Sequence, residues 1–163
     1  MSAYTINAFE FCRLAESATG TTPVAELPRL CADVHDHKGE LTWSFQGGRH
    51  SEGLAQLSLA VSGEVSLVCQ RCLSPFNQSI NAHSRLVLVA DEEQAEEVEQ
   101  RLDDESLDVI VGSAAMDLLV LVEDEALLSL PLSPRHDVCP KGAQAVGDSK
   151  RESPFAVLKK LKE

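Results

Sequence analysis

The sequence predicts an α+β fold: an antiparallel β meander, open or curled into a barrel-like form, with a buried helix in its C-terminal half and short helices at its ends. Three observations carry the prediction. Several segments between residues 40 and 89 alternate apolar and polar residues and are joined by tight connections. Residues 118–130 form a long apolar helical segment, preceded by Asp117 as a cap and closed by Pro131. Strands come first and the strong helix afterwards, which suits a helix laid on a sheet. At 163 residues the chain suits a single domain, taken here as 1–163 with an acidic excursion around 91–106.

Residues 7–17 read as a short helix, with Asn7 as its cap and Phe11, Leu14 and Ala15 on one face. The run 18–23 breaks it, and 24–34 reads as a second short helix interrupted by Pro28. The strands expected next are 40–45, with Leu41, Trp43 and Phe45 on one side, then 54–61 and 64–69, separated by a turn at Ser62-Gly63. A long strand follows over 76–89, with Ile80, Ala82, Leu86 and Leu88 sharing one parity. Residues 91–101 have helix-friendly composition, and 107–111 suit a further strand. Residues 133–148 read as loop, and 154–161 as a terminal helix with Phe155, Val157, Leu158 and Leu161 on its apolar side.

Hydrophobic residues make up 44% of the chain and aromatics only 4%, so Leu, Val and Ala must fill the core. Few aromatics also means few platforms on which single-stranded RNA bases can stack. The N-terminus lacks a basic start followed by a long apolar run, and no apolar run is long enough for a membrane span, so a cytoplasmic location is expected. Net charge is -12. Between Asp91 and Glu125 there are 14 acidic residues against one basic residue, Arg101, so this window alone carries -13 on an otherwise nearly neutral chain. Such a block repels nucleic acid and attracts basic partners.

The five cysteines are Cys12, Cys31, Cys69, Cys72 and Cys139, an odd number that argues against a disulfide framework. Cys69-Gln-Arg-Cys72 is the sharpest chemical feature. Two thiolates at this spacing can be aimed by a turn at one tetrahedral zinc, provided a second pair completes the site. His136-Asp-Val-Cys139 supplies one, and a site of Cys69, Cys72, His136 and Cys139 would hold a structural zinc while pinning the loop after the strong helix onto a hairpin tip. The alternatives are buried thiols acting as small apolar groups, or a zinc- or dithiol-dependent redox protein using Cys69 and Cys72. Redox dithiols favour a helix N-terminus, and here the motif runs into another strand. Glu123, Asp124 and Glu125 point in different directions on a helix and are expected to form a solvated or partner-facing edge rather than one site. No phosphate loop or nucleophile elbow is present, and no catalytic set assembles.

Three segments, Val68-Cys-Gln-Arg-Cys-Leu-Ser-Pro-Phe76, Val122-Glu-Asp-Glu-Ala-Leu-Leu-Ser-Leu-Pro-Leu-Ser-Pro-Arg-His136 and Ser153-Pro-Phe-Ala-Val-Leu158, resemble in order and spacing the bacterial YceD family, the large ribosomal RNA subunit accumulation proteins. Ser153 stands where the family's tail motif usually begins with Asn. The resemblance implies a role in synthesis or accumulation of large-subunit (23S) ribosomal RNA, in ribosome biogenesis, and no enzyme activity. Some relatives carry extra cysteines after the Leu-Pro segment, where this chain has only His136 and Cys139.

An acidic protein can serve ribosomal RNA in two ways. A local basic patch can touch RNA, drawn from Lys150, Arg151, Lys159, Lys160 and Lys162 near the C-terminus together with Arg71. Alternatively, the acidic block, with Glu92, Glu93, Glu96 and Glu97 at its head, can hold a basic large-subunit ribosomal protein. Charge favours the protein route. Neither a membrane nor a small-molecule substrate is expected as a partner.

Overall fold

The computed structural model describes residues 4–140, apart from Asp103 and Glu105. The terminal helix expected over 154–161, and with it Lys150, Arg151, Lys159, Lys160 and Lys162, lies outside the described residues.

Five strands form one open sheet in the order β2 (Ser17–Pro23), β3 (Glu40–Arg49), β4 (Ala55–Val68), β5 (Pro75–Val89) and β6 (Asp108–Val111). The α+β prediction holds. The barrel-like form does not, because β2 and β6 are separate edges with no pairing between them. Strands β2 to β5 run antiparallel as the meander requires. Strand β6 joins parallel to β5, since α3 (Glu92–Leu102) carries the chain back across the sheet before it. Two short strands, β1 (Thr5–Ile6) and β7 (Met116–Asp117), pair separately and bring Thr5 and Ile6 to the start of α4 (Leu118–Leu128).

One sheet face carries the main core. Leu41, Trp43 and Phe45 of β3 meet Leu57, Leu59 and Val61 of β4 and Ile80, Leu86 and Leu88 of β5. Helices α1 (Ala8–Arg13), α2 (Pro28–Asp33) and α4 close over them, through residues such as Phe11, Leu30, Leu118 and Val122. On the other face, Val87 and Val89 pack against Ala95 and Val98 of α3. The acidic segment is therefore a docked helix with only a narrow apolar footing.

The break expected at Ser62-Gly63 is absent, and the two strands expected there are one. Leu57, Leu59, Val61, Val65 and Leu67 keep the same parity through it, so a reversal would have turned half of them outward. Gly63 is there for space: a Cβ on it would lie 2.7 Å from the Glu40 carbonyl oxygen on β3. The actual reversals sit at 50–54, where Gly53 has φ +82, and at the cysteine turn, where Leu73 has φ 58.

Strand β2 replaces the expected break at 18–23. Its Ser, Thr, Ala and Gly side chains offer little apolar signal, and it is recognisable only from what lies beneath it. Trp43 is buried against Gly20, and its indole N–H donates to Thr22 Oγ1 at 2.9 Å. A Cβ at position 20 would meet the indole ring at 2.4 Å. Gly20→Ala is expected to lower stability by about 1–3 kcal/mol, the usual cost of overpacking. Urea unfolding followed by the fluorescence of this single Trp checks it; an unchanged midpoint would mean that β2 yields freely.

Helix α1 is shorter than the 7–17 expected, and Asn7 caps it as expected, accepting from the Glu10 N–H. Pro28 starts α2 rather than interrupting a helix, after a 3-10 turn at Val24–Glu26. Asp117 caps α4 through the Leu119 N–H at 3.0 Å. Among the described residues, no helix is long and apolar enough to cross a membrane.

Candidate metal centre and acidic face

The tip of the β4–β5 hairpin is built by local hydrogen bonds. The Cys69 N–H donates to the Ser74 carbonyl at 3.0 Å, and the Leu73 N–H to the Cys69 carbonyl at 2.8 Å. With Leu73 in the left-handed region, the turn closes tightly enough to point the Cys69 and Cys72 sulfurs the same way. The chain leaving α4 then returns to this tip. The Gln70 N–H donates to the Pro134 carbonyl at 2.8 Å, and Ser133 Oγ donates to Gln70 Oε1 at 3.0 Å. The Phe76 ring lies 5.0 Å from the His136 ring, centre to centre, and braces it.

The loop thereby delivers His136 and Cys139 beside Cys69 and Cys72. One ligand atom from each of the four lies within 4.8 Å of all the others. The Cys69 and Cys139 sulfurs are 3.9 Å apart, and Cys72 Sγ is 3.3 Å from His136 Nδ1. A tetrahedral zinc with bonds near 2.3 Å to sulfur and 2.0 Å to nitrogen requires edges of about 3.8 Å and about 3.5 Å. These two separations lie close to the required edges, and the donor set suits such an ion.

The environment acts differently on two of the thiols. Burial pushes Cys69 up, but the backbone N–H groups of His136, Cys72 and Arg71, together with the His136 side chain, outweigh it and bring the thiol down to about 5. For Cys139, the Arg71 hydrogen bond pulls the thiol down, while burial and the adjacent sulfurs of Cys72 and Cys69 push harder and leave it raised. Crowded thiols resist ionising together, and a cation among them removes that penalty. Cys12 and Cys31 lie elsewhere: Cys12 is buried and donates to the Gln56 carbonyl, and Cys31 donates to the Val24 carbonyl. Burial raises the Cys12 thiol, as expected of a packed apolar group.

The acidic residues divide into two groups. Glu92, Glu93, Glu96 and Glu97 are all exposed along α3. The carboxylates of α4 are different. Glu123 is 5% exposed, and its carboxylate accepts from the Arg29 and Leu30 N–H groups at 2.6 and 3.0 Å and from Arg29 Nε at 2.8 Å. Asp124 also pairs with Arg29, and Glu125 accepts from Ser84 Oγ at 2.6 Å. The expected solvated edge is corrected for Glu123, which caps α2 from another helix. The sequence held one signal of this: Pro28 begins α2 behind Leu27, a residue with no capping side chain, so the cap had to come from elsewhere.

Beside these carboxylates, a groove of about 580 Å³ opens between α4 and the β5–β6 edge. Its floor is apolar, with Leu86, Ile110, Leu121 and Leu127, and its rim carries Asp108, Asp124 and Glu125. Leu128, on the same rim, is 82% exposed.

Residues 57–162 match the family described as large ribosomal RNA subunit accumulation protein YceD, and this match takes in the cysteine turn, α3, α4 and the return loop. A protein of Haemophilus influenzae named large ribosomal RNA subunit accumulation protein YceD is 33% identical over 109 residues, covering 61% of this chain and 61% of its own length. No solved structure matches. Since the family match runs over well more than half of the chain, this protein belongs to the YceD family of large ribosomal RNA subunit accumulation proteins.

Proposed function

We propose that this protein is a non-enzymatic factor that supports synthesis, processing or accumulation of 23S ribosomal RNA, and that it acts by holding a basic large-subunit ribosomal protein on its acidic face. The observation that carries the protein route is the exposed carboxylate row Glu92, Glu93, Glu96 and Glu97 on a docked helix. The apolar groove with its acidic rim adds contact area suited to an amphipathic basic segment. Direct RNA binding has less support. Trp43 and Phe45 are buried and cannot stack on bases, and Arg71 is engaged by Cys139. The Cys69, Cys72, His136 and Cys139 cluster serves this role as a structural zinc site that fixes the loop following α4.

Affinity capture from cells, with and without nuclease, tests the partner. Large-subunit ribosomal proteins recovered after nuclease support the protein route. Their loss on nuclease treatment means contact through RNA and refutes it. Changing Glu92, Glu93, Glu96 and Glu97 to Gln is expected to reduce capture by about tenfold or more at low salt, with little change at high salt, because screening removes the steering. Undiminished capture by this variant would remove the acidic row from the account.

A further inference from the structure

A divalent ion bound by the four side chains would leave one negative charge unbalanced. Three thiolates and a divalent cation sum to -1, and His136 as a neutral ligand does not alter that. Cys69 is fully buried and the other three ligands are half-buried, so an unbalanced charge there is costly. The balancing group lies in the turn itself. Arg71, between the two cysteines of the turn, directs Nε to Cys139 Sγ at 3.0 Å and a terminal nitrogen to the His136 carbonyl at 3.3 Å.

We propose that Arg71 is the positioning residue of this centre: its guanidinium neutralises the cluster and ties the ligand pair of the return loop to the ligand pair of the hairpin tip. The inference rests on the metal reading and adds a role to a residue that the sequence offered only as a candidate RNA contact. The geometry gives three reasons. The two bonds reach residues of the return loop, so one side chain from the first half of the site orients both residues of the second half. The contact is to a sulfur, and an N–H donated to a thiolate lowers its electron density and steadies it as a ligand. The fork is planar and bonds two acceptors at once, which a Lys ammonium on a flexible stem does not reproduce. Neutrality is also reached only with a divalent ion; a monovalent ion would leave the site at -1.

The test uses the 163-residue chain as wild type, Arg71→Ala, Arg71→Lys and Arg135→Ala. The last removes an exposed cation next to His136 that has no hydrogen bond to the cluster among the described residues. Zinc affinity is measured by chelator competition, and the cobalt-loaded proteins are compared by absorption. Arg71→Ala is expected to lose about 10–100-fold in zinc affinity, the usual effect of removing an outer partner of a metal ligand. Its sulfur-to-cobalt charge-transfer band should move to longer wavelength, because the unshielded thiolate gives up electrons more readily. Arg71→Lys should fall between, and Arg135→Ala should match wild type in both readouts. Equal affinity and band position in Arg71→Ala and wild type would overturn the proposal, as would an equal loss in Arg135→Ala. A wild-type chain that binds neither zinc nor cobalt would overturn the metal reading itself, and this proposal with it.

Discussion

Exchanging Cys69 and Cys72 together for Ser is expected to remove stoichiometric zinc and to lower Tm by about 10 °C, while the sheet remains folded. Structural zinc contributes about 10–16 kcal/mol of binding in small peptides that have no other core. Here the sheet keeps its own core of Leu41, Trp43, Phe45 and their neighbours, so only the hairpin tip and the return loop are released. A loss of about 3 kcal/mol corresponds to roughly 10 °C in a domain of this size. Metal analysis of protein purified without an affinity tag, combined with thermal unfolding, measures both. Three outcomes separate three readings. Loss of metal and stability supports structural zinc. Loss of thiol–disulfide turnover with stability intact supports a redox dithiol. No change in either means plain packed thiols.

Glu123→Ala is expected to cost about 2–3 kcal/mol, through loss of the cap on α2 and of a charge-assisted bond. Three donors, the Arg29 and Leu30 N–H groups and Arg29 Nε, lose their acceptor at once. The full penalty for breaking a buried ion pair does not apply, because Arg29 is 48% exposed in its side chain and keeps Asp124 as a partner. Glu123→Gln should recover part of the loss, since an amide oxygen in the Oε1 position still accepts from both helix N–H groups and only the Arg29 Nε bond is lost. Urea unfolding of both variants tests this. If Ala and Gln are equally mild, α2 holds its place through Leu30 and the hydrophobic contacts alone, and the carboxylate is incidental. The effect reaches the candidate site indirectly, because α4 leads into the loop that carries His136 and Cys139.

Much of the fold was legible because it is written in local periodicity. The alternation of Leu41, Trp43 and Phe45 and of Leu86 and Leu88 marked the inner face of the sheet, and Asp117 with Pro131 bounded the strong helix. Strand β2 was hidden because small polar residues on an edge carry no such signal, and Ser62-Gly63 looked like a turn because glycine serves both turns and close strand approach. The parallel placement of β6 depends on where α3 folds back, which no local pattern states.

The candidate site divides the same way. By itself the sequence determined the residue types and the two spacings, Cys69-x-x-Cys72 and His136-x-x-Cys139, and the family to which the chain belongs. Only the tertiary structure decided that the two halves meet, that Arg71 spans them, and that Glu123 is an internal cap rather than part of the acidic surface. The reason is physical: side-chain chemistry and local spacing are properties of a few neighbouring residues, whereas each of these contacts joins groups more than 60 residues apart and depends on the whole sheet to bring them together.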